Sequence, residues 1–492
     1  MKVLLVCKGE YRYLFPAISH ALHARHGAET SVVVFSAPAA RRLRKTRSLA
    51  QIFELAGYLK SHVPRTNRQA VVEKLKRLET VSGTVPVNTM IHGDRILRRY
   101  SYEFTLSILA SVCDFWDHIL SLHPPDIVIG EVACAAEWIG FLKARDRRIA
   151  YLIPSASPVA GRFFFLDSPD GMWSSMQIAY SDLQARNLSH AEASQSEDFI
   201  QDFRFRKTKP PFLRWAEDSP LRPQFSRFLR RIARVPFRLR SYLKDGQYEI
   251  GSYHGTSPWQ PVYEDCRRIC RHTLAEAGFF EHQLAETGPY VYFPLHVQPE
   301  FTTDVRAPFF TNQIALVEHI SKSVPAGFKV LVKEHPGMKG ERILSDYRAL
   351  RRLNNVRLLS PSIDSHELIC RAAAVLTITG SSAWEAILYE KPVIAFGPLY
   401  YGFSKLVYVC DSPANLPNLL AKAVYHHVPD HHDLLKFVAA FLSTAHYLDW
   451  GDPIRQPQIT DTKNTGKIAD TIAAEFSLRT ASLSSKRAAT PA

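Results

Sequence analysis

Three polar runs in the second half of the chain, each directly after an apolar stretch, carry groups that bind or neutralise an anion. The first reads His296-Val297-Gln298-Pro299-Glu300 and, kept extended, projects His296, Gln298 and Glu300 to one side. The second reads Lys333-Glu334-His335-Pro336. Pro336 holds the backbone of His335 extended, so Lys333 and His335 point the same way, an ammonium and an imidazole that can clamp a diphosphate or a phosphodiester. The third reads Thr379-Gly380-Ser381-Ser382-Ala383-Trp384-Glu385, a glycine turn with two hydroxyls opening a helix. A helix start offers free N–H groups and a positive dipole end to a phosphate. Glu385 is placed to meet a sugar or ribose hydroxyl. Ser382-x-x-Glu385 equally fits a capping box, in which both side chains only tie off helix N–H groups. A lone histidine is more often structural than catalytic, but three polar strand ends meeting at one sheet edge are what ligand binding in an open α/β sheet requires.

In the first half, carboxylates that follow apolar runs are the candidates for a general base or a nucleophile. Glu131, after Asp126-Ile127-Val128-Ile129-Gly130, is the best-placed carboxylate, and it equally suits a first-turn charge complementing a helix dipole. Glu10, in the turn Cys7-Lys8-Gly9-Glu10-Tyr11-Arg12, is the second candidate; Asp167 and Asp170 are weaker. That turn holds one glycine where a dinucleotide fingerprint needs G-x-G-x-x-G, which disfavours hydride transfer. No G-x-x-x-x-G-K-[ST] supports an ATPase either. No Asp-x-Asp pair offers a metal-nucleotide site, so neither a metal nor a cofactor is expected. The run His426–Asp433 reads as a turn with Asp430 capping a helix rather than as a metal site.

Two sheets are needed to hold these groups. From Lys2 to about residue 160, strands (3–7, 31–36, 126–130, 149–153) alternate with helices (12–25, near 48–60, 67–79, 101–121, 132–144). The rhythm restarts at Tyr290 with strands 290–295, 328–333, 355–359, 374–379 and 392–396. Such alternation makes parallel, doubly wound α/β sheets. The expected organisation is a Rossmann-like domain over 1–160, a basic linking region over 161–288, a second Rossmann-like domain over 289–446, a C-terminal helix over 447–477 and a disordered tail over 478–492.

The formal charge of +14 on 492 residues is concentrated: between Arg204 and Lys244 thirteen basic residues face two acidic ones, interleaved with apolar groups such as Phe212, Trp215, Ile232 and Phe237. That pattern suits an anionic membrane surface, where each nearby Lys or Arg adds about 1 kcal/mol, and it equally suits apolar residues packing onto the sheet domains. Nucleic acid is the least favoured partner. Prolines at 210, 211, 220, 223 and 236 break the stretch into short pieces. No apolar run reaches the ~18 residues of a membrane span, and the apolar start Val3–Cys7 is too short for a signal-peptide core. Seven scattered cysteines argue for a reduced compartment. A cytoplasmic protein is expected, with peripheral attachment to the inner membrane left open.

The run Tyr290–Gly402 carries a family likeness. With Phe293-Pro294-Leu295-His296-Val297-Gln298-Pro299-Glu300, Lys333-Glu334-His335-Pro336, Thr377–Ala386 and Lys391-Pro392-Val393-Ile394-Ala395-Phe396-Gly397, it resembles the bacterial capsule and surface-polysaccharide biosynthesis proteins that include the β-Kdo transferases (Kdo, 3-deoxy-manno-octulosonic acid). The resemblance implies a GT-B architecture, two Rossmann-like domains facing a cleft, with a nucleotide-sugar donor on the C-terminal domain and a glycan or lipid-linked acceptor on the N-terminal one. It further implies that His335 contacts the donor phosphate, that Ser381 and Ser382 hold the same phosphate through the helix end, that Glu385 meets the nucleoside ribose, and that Gln298 lies near the donor sugar. The implied function is a metal-independent glycosyltransferase, moving a sugar such as Kdo from CMP-Kdo. A sugar-nucleotide 2-epimerase of the same layout and a non-catalytic membrane-held assembly factor of polysaccharide export are the competing readings.

Overall fold

The computed structural model describes residues 1–63, 67–82, 85–210, 221–245, 257–284 and 288–488. The first sheet has six strands, β1 (Lys2–Cys7), β2 (Glu29–Val34), β3 (Leu49–Glu54), β4 (Ile127–Ile129), β5 (Ala150–Ala156) and β6 (Phe163–Leu166), in spatial order β3-β2-β1-β4-β5-β6. The second has β7 (Tyr290–Pro294), β8 (Lys329–Lys333), β9 (Val356–Leu359), β10 (Ala374–Thr377), β11 (Val393–Ala395) and β12 (Val407–Val409), in order β12-β11-β10-β7-β8-β9. Every pairing is parallel except β5 with β6. Runs such as Val3-Leu4-Leu5-Val6 and Val330-Leu331-Val332 are apolar throughout and wholly buried, as a parallel sheet with helices on both faces demands.

In both sheets the strand order reverses once, between β1 and β4 and between β7 and β10. At such a switch point the connections leave in opposite directions and open a crevice beyond the carboxyl ends of the strands. The segments that leave β1 and β4 carry Glu10 and Glu131; those that leave β7, β8 and β10 carry the three polar runs. The fold is therefore two Rossmann-like domains, and the topology alone brings the candidate groups to two crevices.

Several boundaries differ from expectation. Residues near 48–60 form β3 followed by the helix Leu55–His62, not one helix. The aromatic run Phe163-Phe164-Phe165-Leu166 is the antiparallel edge strand β6, with all four side chains buried, so the first domain extends past 160. The 161–288 region is not one linking unit. Its helices Ser174–Gln184 and His190–Arg206 pack against the C-terminal domain, where the Tyr180 hydroxyl donates to Asp433 Oδ2 at 2.7 Å and Arg204 Nε donates to the Leu388 carbonyl at 2.6 Å. The chain crosses back at the other end: Phe163 and His446 bridge, and the helix Thr462–Ala488 lies on Phe15–His26, with Arg25 bound to Asp470 at 2.8 and 2.6 Å.

That last helix runs ten residues beyond Leu478, where a disordered tail was expected. No proline interrupts it before Pro491, and Ala, Leu, Arg and Lys among its last residues are good helix formers; residues 489–492 lie outside the described residues. The basic stretch forms two helices, Leu221–Ala233 and Val235–Asp245, as the prolines require, while Phe212, Trp215 and their neighbours over 211–220 lie outside the described residues. Among the described residues, no helix is long and apolar enough to cross a membrane.

Candidate active site

A cleft of about 1920 Å³ separates the two switch points and is lined from both sides. Its C-terminal wall begins with His335. Pro336 starts a short 3-10 turn, and the imidazole Nδ1 accepts a hydrogen bond from the Gly337 N–H at 3.0 Å, which assigns the ring proton to Nε2. Burial drives this imidazole down to about 4, with Lys333 and Arg342 adding and Glu334 opposing. At neutral pH His335 is thus an uncharged Nε2–H donor lining the cleft, and that N–H has no partner among the described residues. Glu334, turned the other way, accepts from Arg342 Nε at 2.8 Å, the Tyr347 hydroxyl at 2.7 Å and the His335 N–H at 2.7 Å. Arg342 also donates to the His296 carbonyl at 3.2 Å, so one buried ion pair braces two of the three loops.

The third loop carries a buried hydroxyl without a protein partner. The helix Ser382–Leu388 has Ser381 as its N-cap, with no side-chain cap bond, so the capping-box alternative for Ser382 and Glu385 is not realised. Ser382 Oγ is buried without a hydrogen-bond partner. Such a hydroxyl costs about 1–3 kcal/mol unless something supplies the bond. Glu385, only 4 % exposed, lines the cleft floor with Tyr292, Ser365 and Tyr401. Lys333 reaches that floor too, 2 % exposed, its Nζ donating to Ser365 Oγ at 2.7 Å. Lys333 and His335 therefore line one cleft as the alternation predicts, with Lys333 deeper.

His296 lines the cleft but is tied into the protein through one ring nitrogen. Its Nε2 accepts from the Thr377 hydroxyl at 2.9 Å and the Ile378 N–H at 3.3 Å, and burial drives the ring down to about 3. The imidazole is a buried strut between the first and third loops through Nε2, and its Nδ1, which then carries the ring proton, is buried without a hydrogen-bond partner among the described residues. Gly380 closes against it: a Cβ there would lie 2.9 Å from both His296 Nε2 and Thr377 Oγ1. Glycine is required by this approach. Gln298 gives its amide N–H groups to Asp304 Oδ1 at 2.9 Å and the Thr311 carbonyl at 2.5 Å, while its Oε1 has no partner among the described residues.

On the N-terminal wall, Glu131 lines the cleft and Glu10 does not. Glu10 pairs instead with Arg12 at 3.5 Å. The residue beside it, Tyr11, donates its hydroxyl to Glu131 Oε1 and accepts from Trp450 Nε1 at 3.0 Å. Burial pushes the Glu131 carboxyl up, the Tyr11 bond and Lys8 hold it back, and Glu137 adds to the rise. The helix that follows starts at Ala135, and its first-turn acid is Glu137, so Glu131 is not the dipole-complementing charge. Asp167 is held by the Ser174 N–H at 2.6 Å and Arg479 at 2.6 Å, away from the cleft lining. Asp430 caps the helix His431–Thr444 through the Asp433 N–H at 2.9 Å, as its position implies. Among the described residues, no group of three or more His, Cys, Asp or Glu could hold a metal ion.

Sequence reasoning missed most of the cations. Among the described residues, twelve arginines and Lys333 line the cleft against six glutamates. Arg95, Arg98 and Arg99 crowd one short turn and were visible as a cluster; what brings Arg234, Arg238 and Arg267 beside them is tertiary packing.

Two Rossmann-like domains facing a cleft, with three polar loops on one lip and a buried carboxylate on the other, give an α/β protein of the GT-B-like class. Residues 266–409, which contain all three polar runs, match the family described as capsule polysaccharide biosynthesis protein. No curated protein matches. Among solved structures, the β-Kdo 2,7 transferase of Thermosulfurimonas dismutans KpsC matches at 10% identity and a TM-score of 0.37, over 69% of this chain and 84% of that one. The β-Kdo 2,4 transferase of the same protein matches at 11% identity and 0.39, over 71% and 87%. The UDP-GlcNAc 2-epimerase of Methanocaldococcus jannaschii, in complex with UDP-GlcNAc and UDP, matches at 11% and 0.32, over 90% and 99%.

Proposed function

We propose that this chain is a glycosyltransferase of surface or capsular polysaccharide synthesis, taking a sugar from a nucleotide donor on the C-terminal wall to an acceptor hydroxyl on the N-terminal wall. One observation carries the reading: unpaired donors at His335 Nε2 and Ser382 Oγ share a single cleft with Glu131, a carboxylate raised by burial. In the step this supports, Glu131 takes the proton of the acceptor hydroxyl as its oxygen attacks the anomeric carbon. The bond from that carbon to the phosphate oxygen breaks, and the departing nucleotide keeps the electron pair. His335, Ser381 and Ser382 meet the resulting charge, with the Lys333 ammonium beneath them, so protein groups supply the stabilisation without calling on a metal. Glu385 is assigned to the ribose, and Gln298 Oε1 to the donor sugar. Kdo and CMP are proposed as sugar and nucleotide on the family likeness of the 290–402 run.

The apolar residues Leu229, Ile232, Leu239 and Leu243, all exposed on the two basic helices, further support contact with an anionic membrane surface carrying a lipid-linked acceptor. A donor screen tests the reading. Purified chain is incubated with CMP-, UDP- and GDP-sugars, with and without surface-glycan fragments, and free nucleotide is measured. Release confined to one nucleotide class and dependent on acceptor supports the transferase. An epimer formed from donor alone replaces it with the epimerase, and a chain that neither binds nor consumes any donor is an assembly factor.

A further inference from the structure

The cleft is larger than one ligand needs. Small-molecule sites occupy about 300–1,000 Å³, and this one measures about 1920 Å³ with its cations spread well beyond the His335–Ser382 lip. A second group of arginines gathers around the helix Gln260–Gly278, which acts as a clasp. Arg99, from the turn after the helix Val87–Gly93, bonds Glu264 Oε1 at 3.1 Å. Arg231, from the first basic helix, bonds Asp265 Oδ1 at 2.8 Å and the Pro261 carbonyl at 3.2 Å. Those two carboxylates are thereby consumed in holding the pieces together, and Glu341 is consumed in the same way by Arg267 and Arg268.

Three further guanidiniums face the cleft. The side chains of Arg98 and Arg234 line it and have neither a hydrogen bond nor an ion pair among the described residues. Arg238 stands one turn from Arg234, its backbone N–H bonding the Arg234 carbonyl at 3.0 Å, and both line the cleft. Burial and Arg99, with a smaller push from Arg95, hold the Arg98 guanidinium below its ordinary value against the opposing Asp304 and Asp94, and burial with Arg231 does the same to Arg238. Arg98 and Arg234 are exposed and Arg238 is half-buried, and three guanidiniums that line one cleft favour a bound polyanion through charge-assisted hydrogen bonds.

We propose that Arg98, Arg234 and Arg238 form a second anion subsite of the cleft that holds the acidic groups, carboxylate or phosphate, of the acceptor glycan. This rests on the transferase reading for the word acceptor, but the subsite itself does not. The half of the basic segment that lines the cleft selects the acceptor, and the exposed apolar residues on the same helices are left for a membrane surface.

The test is binding to the full chain by titration calorimetry in the presence of saturating CMP, using tetragalacturonate, the neutral maltotetraose, and tripolyphosphate. Wild type should bind tetragalacturonate or tripolyphosphate and not maltotetraose, and the tighter of the two identifies the acidic group as carboxylate or phosphate. In the Arg98→Gln/Arg234→Gln/Arg238→Gln variant that affinity should fall at least about tenfold, the loss of two or more charge-assisted bonds, while CMP binds as before. The matching triple Lys variant, which keeps the charge, should retain most of the affinity and shows that the loss is not misfolding. Equal binding of maltotetraose, an unaffected Gln variant, or displacement of tetragalacturonate by CMP overturns the proposal. If no nucleotide binds but the polyanion binds and depends on these arginines, the subsite stands and the donor reading falls.

Discussion

Replacing Ser382 by alanine should move stability and ligand binding in opposite directions. Ser382 Oγ is buried and partnerless in the free protein, so removing it relieves an unsatisfied polar group. Alanine is also the better helix residue at the start of Ser382–Leu388, by about 0.5 kcal/mol. The two effects together favour the free variant by about 1.5–3.5 kcal/mol, a rise of about 1–4 °C in Tm for a chain this size. In the nucleotide complex the same hydroxyl donates to a phosphate oxygen, and a charge-assisted bond of about 1.5–3 kcal/mol disappears, a loss of roughly 10- to 150-fold in affinity. Scanning fluorimetry of the free variant and calorimetric titration with CMP and UDP read both numbers. A lower Tm would mean that Ser382 holds the helix after all, and an unchanged nucleotide affinity would mean that no phosphate sits there.

Other expectations follow from the same geometry. Glu131→Gln keeps the acceptor atom for Tyr11 and should fold normally, but turnover should drop by about 10²–10⁴-fold. Tyr11→Phe removes a bond that holds the Glu131 carboxyl down, so the acid limb of the pH–rate profile should shift upward; a shift downward or none contradicts the base assignment. His296 has an ordinary value of 6.5 and is driven to about 3 in the fold, so folding releases its proton. Its contribution is complete above the unfolded value and drains as pH falls toward 3, about 2 kcal/mol being lost by pH 5. Urea melts at pH 7.5 and pH 5 should show the loss in wild type and a smaller one in His296→Gln. Flotation with vesicles should recover the chain with phosphatidylglycerol and not with phosphatidylcholine alone, and Leu239→Glu/Leu243→Glu should abolish recovery; capture by both vesicles alike contradicts an electrostatic contact.

Much of this arrangement was readable before any coordinates. Unbroken apolar runs such as Val330-Leu331-Val332 announce strands covered on both faces, and the polar residues that follow them lie at one edge because parallel strands all end on the same side. The failures have specific causes. β3 is half exposed and runs directly into a helix, so Leu49–Glu54 shows no clean alternation. β6 is apolar at every position and short, which periodicity cannot separate from a loop packed by aromatics. His296 and His335 look alike in sequence, each followed by a proline within three residues, and only the tertiary neighbours of His296, Thr377 and Ile378, make one a strut and the other a donor. Tyr11 rather than Glu10 reaches Glu131 because the first turn is 3-10 from Gly9 to Tyr13, which rotates Glu10 away. The arginine subsite joins residues more than a hundred positions apart in sequence, a proximity that no local pattern encodes.

The most direct measurement is a crystal structure of the chain with CMP or UDP in the cleft. The account predicts density for the nucleotide phosphate within about 3 Å of His335 Nε2 and Ser382 Oγ, hydrogen-bond distance for both donors, with the ribose at Glu385 and the vacant side of the phosphate turned toward Glu131. A nucleotide found on the N-terminal wall, or a phosphate seated on Arg98 and Arg234 with His335 and Ser382 still unpartnered, would contradict it.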